Sequence, residues 1–338
     1  MSERTAGRSG VSTDAFETVA EDTLTTRERY QRWFDRGVLA PARIVWDDRR
    51  ARVGVVIVAF YALLGTVGPL VVAEPRVNQG PRLLGAFQSL ANPLGTDNLG
   101  RDVLSQLVHA TPNMLIMIVA GGLFTTVVAT VVGTVSGYVG GRVDRVLSGI
   151  SDIVMTIPGL PLVVILAAAF SPENPVVLGV LLTINAWAGL ARSIRSQVLS
   201  IRRASYVEAS SAIGLSTPTI IRRDVLPNVM PYVMINFVNA SRNVIFASVG
   251  LYFIGVLPYS GPVNWGVMIQ LAYSNGGALL SLAAAHWLLA PLFTIVLLSF
   301  GLIMLSQGTD RMFNPRVRAR HASSTKETDE IVTDGGER

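Results

Sequence analysis

Cysteine is absent from this chain of 338 residues, and lysine occurs once, at Lys326. The first absence excludes a disulfide, a thiolate metal site and a cysteine nucleophile, and it removes cysteine usage as a guide to redox compartment. The second, together with the lack of any Gly-x-x-x-x-Gly-Lys-Ser/Thr run, excludes a phosphate-cradling loop whose lysine reaches a nucleotide. Histidine is scarce as well. His109, His286 and His321 are scattered with no His-x-x-x-His spacing, so no metal centre is expected. Before residue 50 no apolar run has the length of a signal-peptide core, and none is expected to be cleaved.

Charge too is thin, at 15% of residues, whereas half of the chain is hydrophobic and the mean hydropathy is +0.46. That balance is the mark of an integral membrane protein. Apolar runs lie at about 53–72, 113–139, 150–170, 175–191, 228–257 and 284–306. Each is close to or above the roughly 17–25 residues a helix needs to cross the hydrocarbon core. Lipid offers no hydrogen bonds to an open backbone, so the runs are read as helices and not as barrel strands. The expected fold is all-α, with six spans inside a membrane domain at about 51–316. The fourth span is the weakest, being short and interrupted by Asn185 and Gly189.

The net charge of +5 comes almost wholly from arginine, which in a chain of this kind sets orientation and does not call for nucleic acid. Eight arginines between Arg27 and Arg52 precede the first run. Arg142 and Arg145 fall in the second connection, read as a turn at 140–149, and Arg192, Arg195, Arg202, Arg203, Arg222 and Arg223 fall in residues 192–227. The other side receives only Arg76, Arg82 and Arg101. The positive-inside rule therefore predicts a multi-pass protein of the cell membrane with both termini and the 192–227 loop in the cytoplasm. Residues 1–25 and 317–338 are polar enough to be expected disordered. Residues 26–50 set Tyr30, Trp33, Phe34, Leu39, Ile44, Val45 and Trp46 among arginines, which suits a helix lying against lipid headgroups.

Residues 192–227 form a long polar connection between two apolar runs. Ile194, Val198 and Ile201 keep helical spacing, so the fourth run is expected to continue out of the membrane. A second short helix carries Val207, Ala209, Ala212 and Ile213, and Gly214 permits the positive φ of a helix-terminating turn. Ser216 or Thr217 then caps a third helix with Pro218 in its first turn. The small side chains of Ala209, Ser210, Ser211 and Ala212 allow another protein to approach this backbone closely.

Glu208-Ala209-Ser210, three residues, Gly214, nine residues and then Asp224-Val225-Leu226-Pro227 resembles the EAA loop of inner-membrane permeases in ABC importers. Ser210 stands where that family usually has alanine, and Asp224 where isoleucine or histidine is usual. The run from Leu94 through Gly95, Thr96, Asp97, Gly100, Arg101 and Asp102 to Ser105 is similar to the segment after the first span in the C-type permease of dipeptide, oligopeptide and nickel importers. Further matches in order are Ser151-Asp152, Ile157-Pro158, Trp187, Leu251–Gly255, Trp265-Gly266, Gly308–Asp310 and Asn314–Arg316, so the likeness covers about 49–316. Phe246-Ala247 departs from it, a glutamate being common there.

The resemblance implies a permease subunit, not an enzyme. Such a subunit would form half of a path for peptides, working with a second homologous permease, two cytoplasmic ATPases that bind the ATP, and an extracytoplasmic substrate-binding protein. It also implies that Glu208, Ala209, Ser210, Gly214, Leu226 and Pro227 carry the coupling to the ATPase. The 94–105 motif would face the binding protein, and the external loop at 258–280 reads as a lid or docking surface. Asp97, Arg101 and Asp102 are expected to pair with one another and fix their loop. Arg242 is a costly intramembrane charge with Asn236, Asn239 and Asn243 on or near its face. Two readings stand: Asn239 and Arg242 line the translocation path, or Arg242 pairs with the partner subunit or with Asp152. Asp152 itself is expected to serve helix ends around Pro158 and Pro161. Nickel or another small solute is the alternative cargo. A secondary transporter would show internal repeats with broken helices and acidic coupling residues, and a membrane-embedded enzyme would cluster catalytic side chains; neither pattern is read here.

Overall fold

A computed structural model of the chain describes Trp46, residues 48–257 and residues 263–313, the last six of these by their backbone alone. The ends at 1–25 and 317–338, the motif residues 314–316 and nearly all of the 26–50 segment lie outside the described residues. Every regular element that is described is helical, and the one β-bridge is an isolated antiparallel contact between Thr96 and Asp102.

Helix α1 (Arg49–Thr66) opens on the Asp48 carboxylate, which accepts the Arg50 N–H at 2.8 Å. After the short α2 (Gly68–Val71), residues 73–102 form an irregular connection to α3 (Val103–Val139), which Asp102 caps by accepting from Ser105 N at 2.7 Å. At 37 residues α3 is roughly 55 Å long, more than the thickness of the hydrocarbon core, and it starts ten residues before the apolar run. The connection expected at 140–149 is not a turn. Two consecutive glycines with positive φ, Gly140 at 71° and Gly141 at 61°, redirect the chain into α4 (Gly141–Thr156).

The third and fourth apolar runs are each broken. Helix α4 meets α5 (Gly159–Phe170) at an 82° bend, and α6 (Pro175–Leu182) meets α7 (Trp187–Ile201) at a 63° bend. Pro158 and Pro161 account for the first bend, since neither can donate to the preceding turn. The second falls at 183–186 and includes Asn185, whereas Gly189 lies inside α7 and interrupts nothing. Among the described residues two helices are long and apolar enough to span alone, α3 and Leu282–Gln307, and taking each bent pair as one span brings the number to four. The other two expected spans fall short for identifiable reasons. Arg49, Arg50 and Arg52 crowd the start of α1, and Asn236, Asn239, Arg242 and Asn243 interrupt α10 (Leu226–Phe253). Helix α11 (Trp265–Gly276) occupies most of the connection read as a lid, and α12 begins at Ala285 and runs to Phe313. Residues 258–262 of that connection lie outside the described residues.

Helix α3 is the hub, packed by α1, α6, α7 and α10, while α12 lies along α1. In lipid, helices gain little from apolar burial against each other and depend on close packing of small residues. Here a Cβ on Gly133 would stand 2.5 Å from the Ala191 carbonyl oxygen, and one on Gly137 2.9 Å from that of Arg195, so α3 and α7 touch backbone to backbone. A large buried cluster includes Tyr61, Trp265 and Trp287. A second, with Ile194, Val198, Val207, Ile220, Val225 and Val229, ties α7, the 192–227 loop and α10 together.

Candidate functional site

The loop at 192–227 folds as three short segments on that second cluster. Helix α7 continues to Ile201 with Ile194 and Val198 fully buried. Helix α8 (Ser205–Ala212) follows, and α9 (Thr217–Ile220) passes through a π-helical turn, Ile221–Val225, into α10. Val207, Ile220 and Val225 are the anchors, each at most 2% exposed. They leave the opposite surface of α8 free: Glu208, Ala209, Ser211 and Ala212 are exposed, Ser210 is half-buried, and Ile213 is 76% exposed.

Gly214 ends α8 with φ 82°. Its N–H donates to Ser211 O at 3.0 Å, and the Leu215 N–H to Ser210 O at 3.2 Å. Those two bonds are the Schellman pair, which satisfies carbonyls that the helix end would leave orphaned. Pro218 stands in the first turn of α9, as its fixed φ favours. Ser216 makes no cap to the backbone; its hydroxyl bonds that of Thr219 at 2.8 Å. The π-turn carries Asp224, one of whose carboxylate oxygens is buried without a hydrogen bond, and single π-turns of this kind recur where helices do work. Leu226 is half-buried and Pro227 exposed at the start of α10. Between α8 and the end of α3 opens a cleft of about 600 Å³ lined by Tyr138, Arg202, Arg203, Glu208, Ser211 and their neighbours.

The polar stripe on α10 divides in two. Asn236, Asn239 and Asn243 line a pocket of about 200 Å³ with Thr125 and Thr183. Arg242 is half-buried and does not line it. Among the described residues it makes no ion pair, and the alternative of a pairing with Asp152 is not seen: Asp152 is bound by Arg192.

The 94–105 segment is a knot of hydrogen bonds, tied within itself and to its neighbours. Asp97 is fully buried and accepts four hydrogen bonds: from Leu99 N (2.8 Å) and Arg101 N (2.9 Å) on Oδ1, and from Arg101 Nε (2.6 Å) and Gln106 Nε2 (3.1 Å) on Oδ2. Asp97 and Arg101 thus pair as expected. Asp102 does not join them; it caps α3 and accepts from Asn92 Nδ2 at 3.2 Å. Gly95 and Gly100 have φ of 79° and 70°, and a Cβ on either would meet a carbonyl oxygen, at 2.2 and 2.4 Å. The Thr96 hydroxyl bonds Pro81 O and accepts from Leu84 N at 3.0 Å, while His286 Nε2 reaches Thr96 O at 2.9 Å and pins the knot to α12. Sequence reasoning missed Gln106, Asn92 and His286. Gln106 had a local signal, lying one turn into a helix that Asp102 caps; Asn92 sits in an irregular connection with no periodicity to place it, and His286 is 190 residues from Thr96.

Residues 129–319 match the family described as binding-protein-dependent transport system inner membrane component. The chain is similar to the dipeptide transport system permease protein DppC of Bacillus subtilis (strain 168), at 30% identity over 273 residues covering 80% of this chain and 83% of that protein. It is 32% identical over 259 residues to the probable peptide ABC transporter permease protein y4tQ of Sinorhizobium fredii, covering 74% and 86%. To the metal-staphylopine import system permease protein CntC of Staphylococcus aureus (strain Mu50) it is 28% identical over 279 residues, covering 81% and 93%.

Proposed function

The chain belongs to the family of binding-protein-dependent transport system inner membrane components, and on that footing we propose that it forms half of the translocation path of an ATP-driven importer of di- and oligopeptides. The observation that carries this reading is helix α8. Its small-residue surface stands free on a buried anchor and ends in a fixed turn at Gly214, the form required of a rigid plug that another protein grips. Glu208, Ala209, Ser210 and Gly214 form the plug, and Leu226 and Pro227 carry its movement into α10. The cargo class is supported by the relatives, two of which are named for dipeptides or peptides.

The partners that follow are a second, homologous permease, two cytoplasmic ATPases that bind the ATP, and a substrate-binding protein docking near the 94–105 knot. The arginine distribution supports six spans with both termini in the cytoplasm. Asn239 and Arg242 are assigned to the path: a polar and charged stripe on an intramembrane helix is costly against lipid and is relieved by a wet cavity.

Purification in mild detergent from the native membrane, with the co-purifying subunits identified and ATP hydrolysis assayed, tests the reading. Recovery of a second permease and ATPases, lost on altering the Glu208–Gly214 helix, is the expected result. A lone chain without ATPase under several gentle conditions would bring a secondary transporter to the front.

A further inference from the structure

The two broken helices are bound to each other at and beside their breaks. Ile157 ends α4 in an extended conformation, and its carbonyl cannot be satisfied four residues on because Pro161 has no N–H. Asn185, from the break between α6 and α7, donates its Nδ2 to that carbonyl at 3.1 Å. A Cβ on Gly159 would lie 3.1 Å from the same amide, so the two breaks are in direct contact. Away from the breaks, α4 and α7 run antiparallel and are joined twice more. Arg192 binds Asp152, and Arg195 grips Asp144 through Nε and Nη2 at 2.5 and 2.6 Å, with Ser148 donating to the same carboxylate at 2.9 Å.

The order of these contacts matters: 157 with 185, 152 with 192, 144 with 195. They form a ladder that climbs from the breaks toward the end of α7, where the chain turns into α8. The other side of α7 is held against α3 by Gly133 and Gly137. We infer that α4 and α7 act as one rigid lever that carries movement of α8 to the two breaks, with Asn185, Asp144 and Arg195 as positioning residues. At the far end of the lever the backbone is freest to change direction. The chain crosses 183–186 on short turn bonds, Thr183 N to Val180 O at 3.1 Å and Ala186 N to Thr183 O at 2.9 Å, and an extended residue stands at 157. Irregular backbone inside a membrane survives only where neighbours supply its hydrogen bonds, and Asn185 is such a supplier.

This inference rests on the importer reading, and its test separates the two. The chain has no native cysteine, so Asp152→Cys with Arg192→Cys creates the only two thiols in it, and the cross-link is read on this chain. Both positions are about half exposed, 52% and 57% by side chain, and a short bifunctional thiol reagent can reach them. In the complete complex, breaking this rung is expected to lower uptake per ATP hydrolysed, and cross-linking is expected to restore it. Arrest of uptake by the cross-link would overturn the inference, because it would mean that the helices must slide or part during the cycle.

A second arm uses Asn185→Asp, which keeps the shape and removes the donor, beside Asn185→Ala. Both are expected to lower uptake per ATP by about threefold to thirtyfold, the range of coupling changes typical of residues between two sites, while the subunits still co-purify. The double exchange Asp144→Arg with Arg195→Asp is expected to recover what Arg195→Asp alone loses. A wild-type ratio in both Asn185 variants would overturn the lever. Absence of ATP-dependent uptake in the unmodified complex would instead sink the importer reading beneath it.

Discussion

The backbone N–H of Leu215 reaches back over Gly214 to the carbonyl of Ser210 at 3.2 Å, and this bond closes the end of the helix that carries Glu208. It exists only because Gly214 adopts φ 82°, a region costly to residues that have a Cβ. Nothing lies within 4 Å of where a Cβ at 214 would stand, so crowding plays no part in the penalty.

A graded series at this position should follow conformational cost and not size. Gly214→Asn, a residue that tolerates the left-handed region, is expected to lose least. Gly214→Ala should destabilise the turn by about 1–2 kcal/mol, and the β-branched Gly214→Val by more. The readout is ATP hydrolysis coupled to uptake, with membrane insertion unchanged. Normal uptake in the valine variant would count heavily against a coupling role for this helix.

The buried Asp97 carboxylate accepts from the backbone N–H groups of Leu99 and Arg101 and from the side chains of Arg101 and Gln106. Removing it strands a partly buried guanidinium and three further donors. Loss of one partner from a buried pair costs about 3–5 kcal/mol, so Asp97→Ala should lower the detergent-solubilised melting temperature and expose residues 73–102 to protease. Asp97→Asn keeps one acceptor oxygen and should lose less. Equal stability of all three proteins would show that the knot is not held by this carboxylate.

Arg242 lies with Asn236, Asn239 and Asn243 on α10, and with Asn239 it is proposed to serve the path. Arg242→Ala is expected to lower peptide uptake by about tenfold, equivalent to roughly 1.4 kcal/mol on the transport barrier, with assembly and substrate-free ATP hydrolysis retained. Arg242→Lys should keep part of the rate. If uptake of every peptide tested survives in Arg242→Ala, the residue does not serve the path; if instead the second permease no longer co-purifies, its charge belongs to the subunit contact.

Much of the 192–227 loop was legible because its signals are local. Helical spacing at Ile194, Val198 and Ile201, the small residues at 209–212, Gly214 and Pro218 each act within a turn or two of themselves, and the structure places them as that spacing requires. The same holds for Asp97 with Arg101, four residues apart. Asp152 was misread for the opposite reason. Its partner Arg192 is 40 residues away on another helix, and no local pattern distinguishes a carboxylate that serves its own helix end from one that binds a neighbour.

By itself the sequence determined that this is a helical membrane chain, since apolar runs of spanning length leave the backbone no other way to satisfy itself. It also determined where the polar loop lies and which glycine stops its helix. Tertiary structure alone decided that the third and fourth runs bend by 82° and 63°, that Asn185 supplies the donor Pro161 lacks, and that Asp144 and Asp152 of α4 bind the arginines of α7. A proline marks where a helix can break, but the angle and the group that repairs the break depend on which helix packs alongside, and that is settled only when α3, α4 and α7 come together.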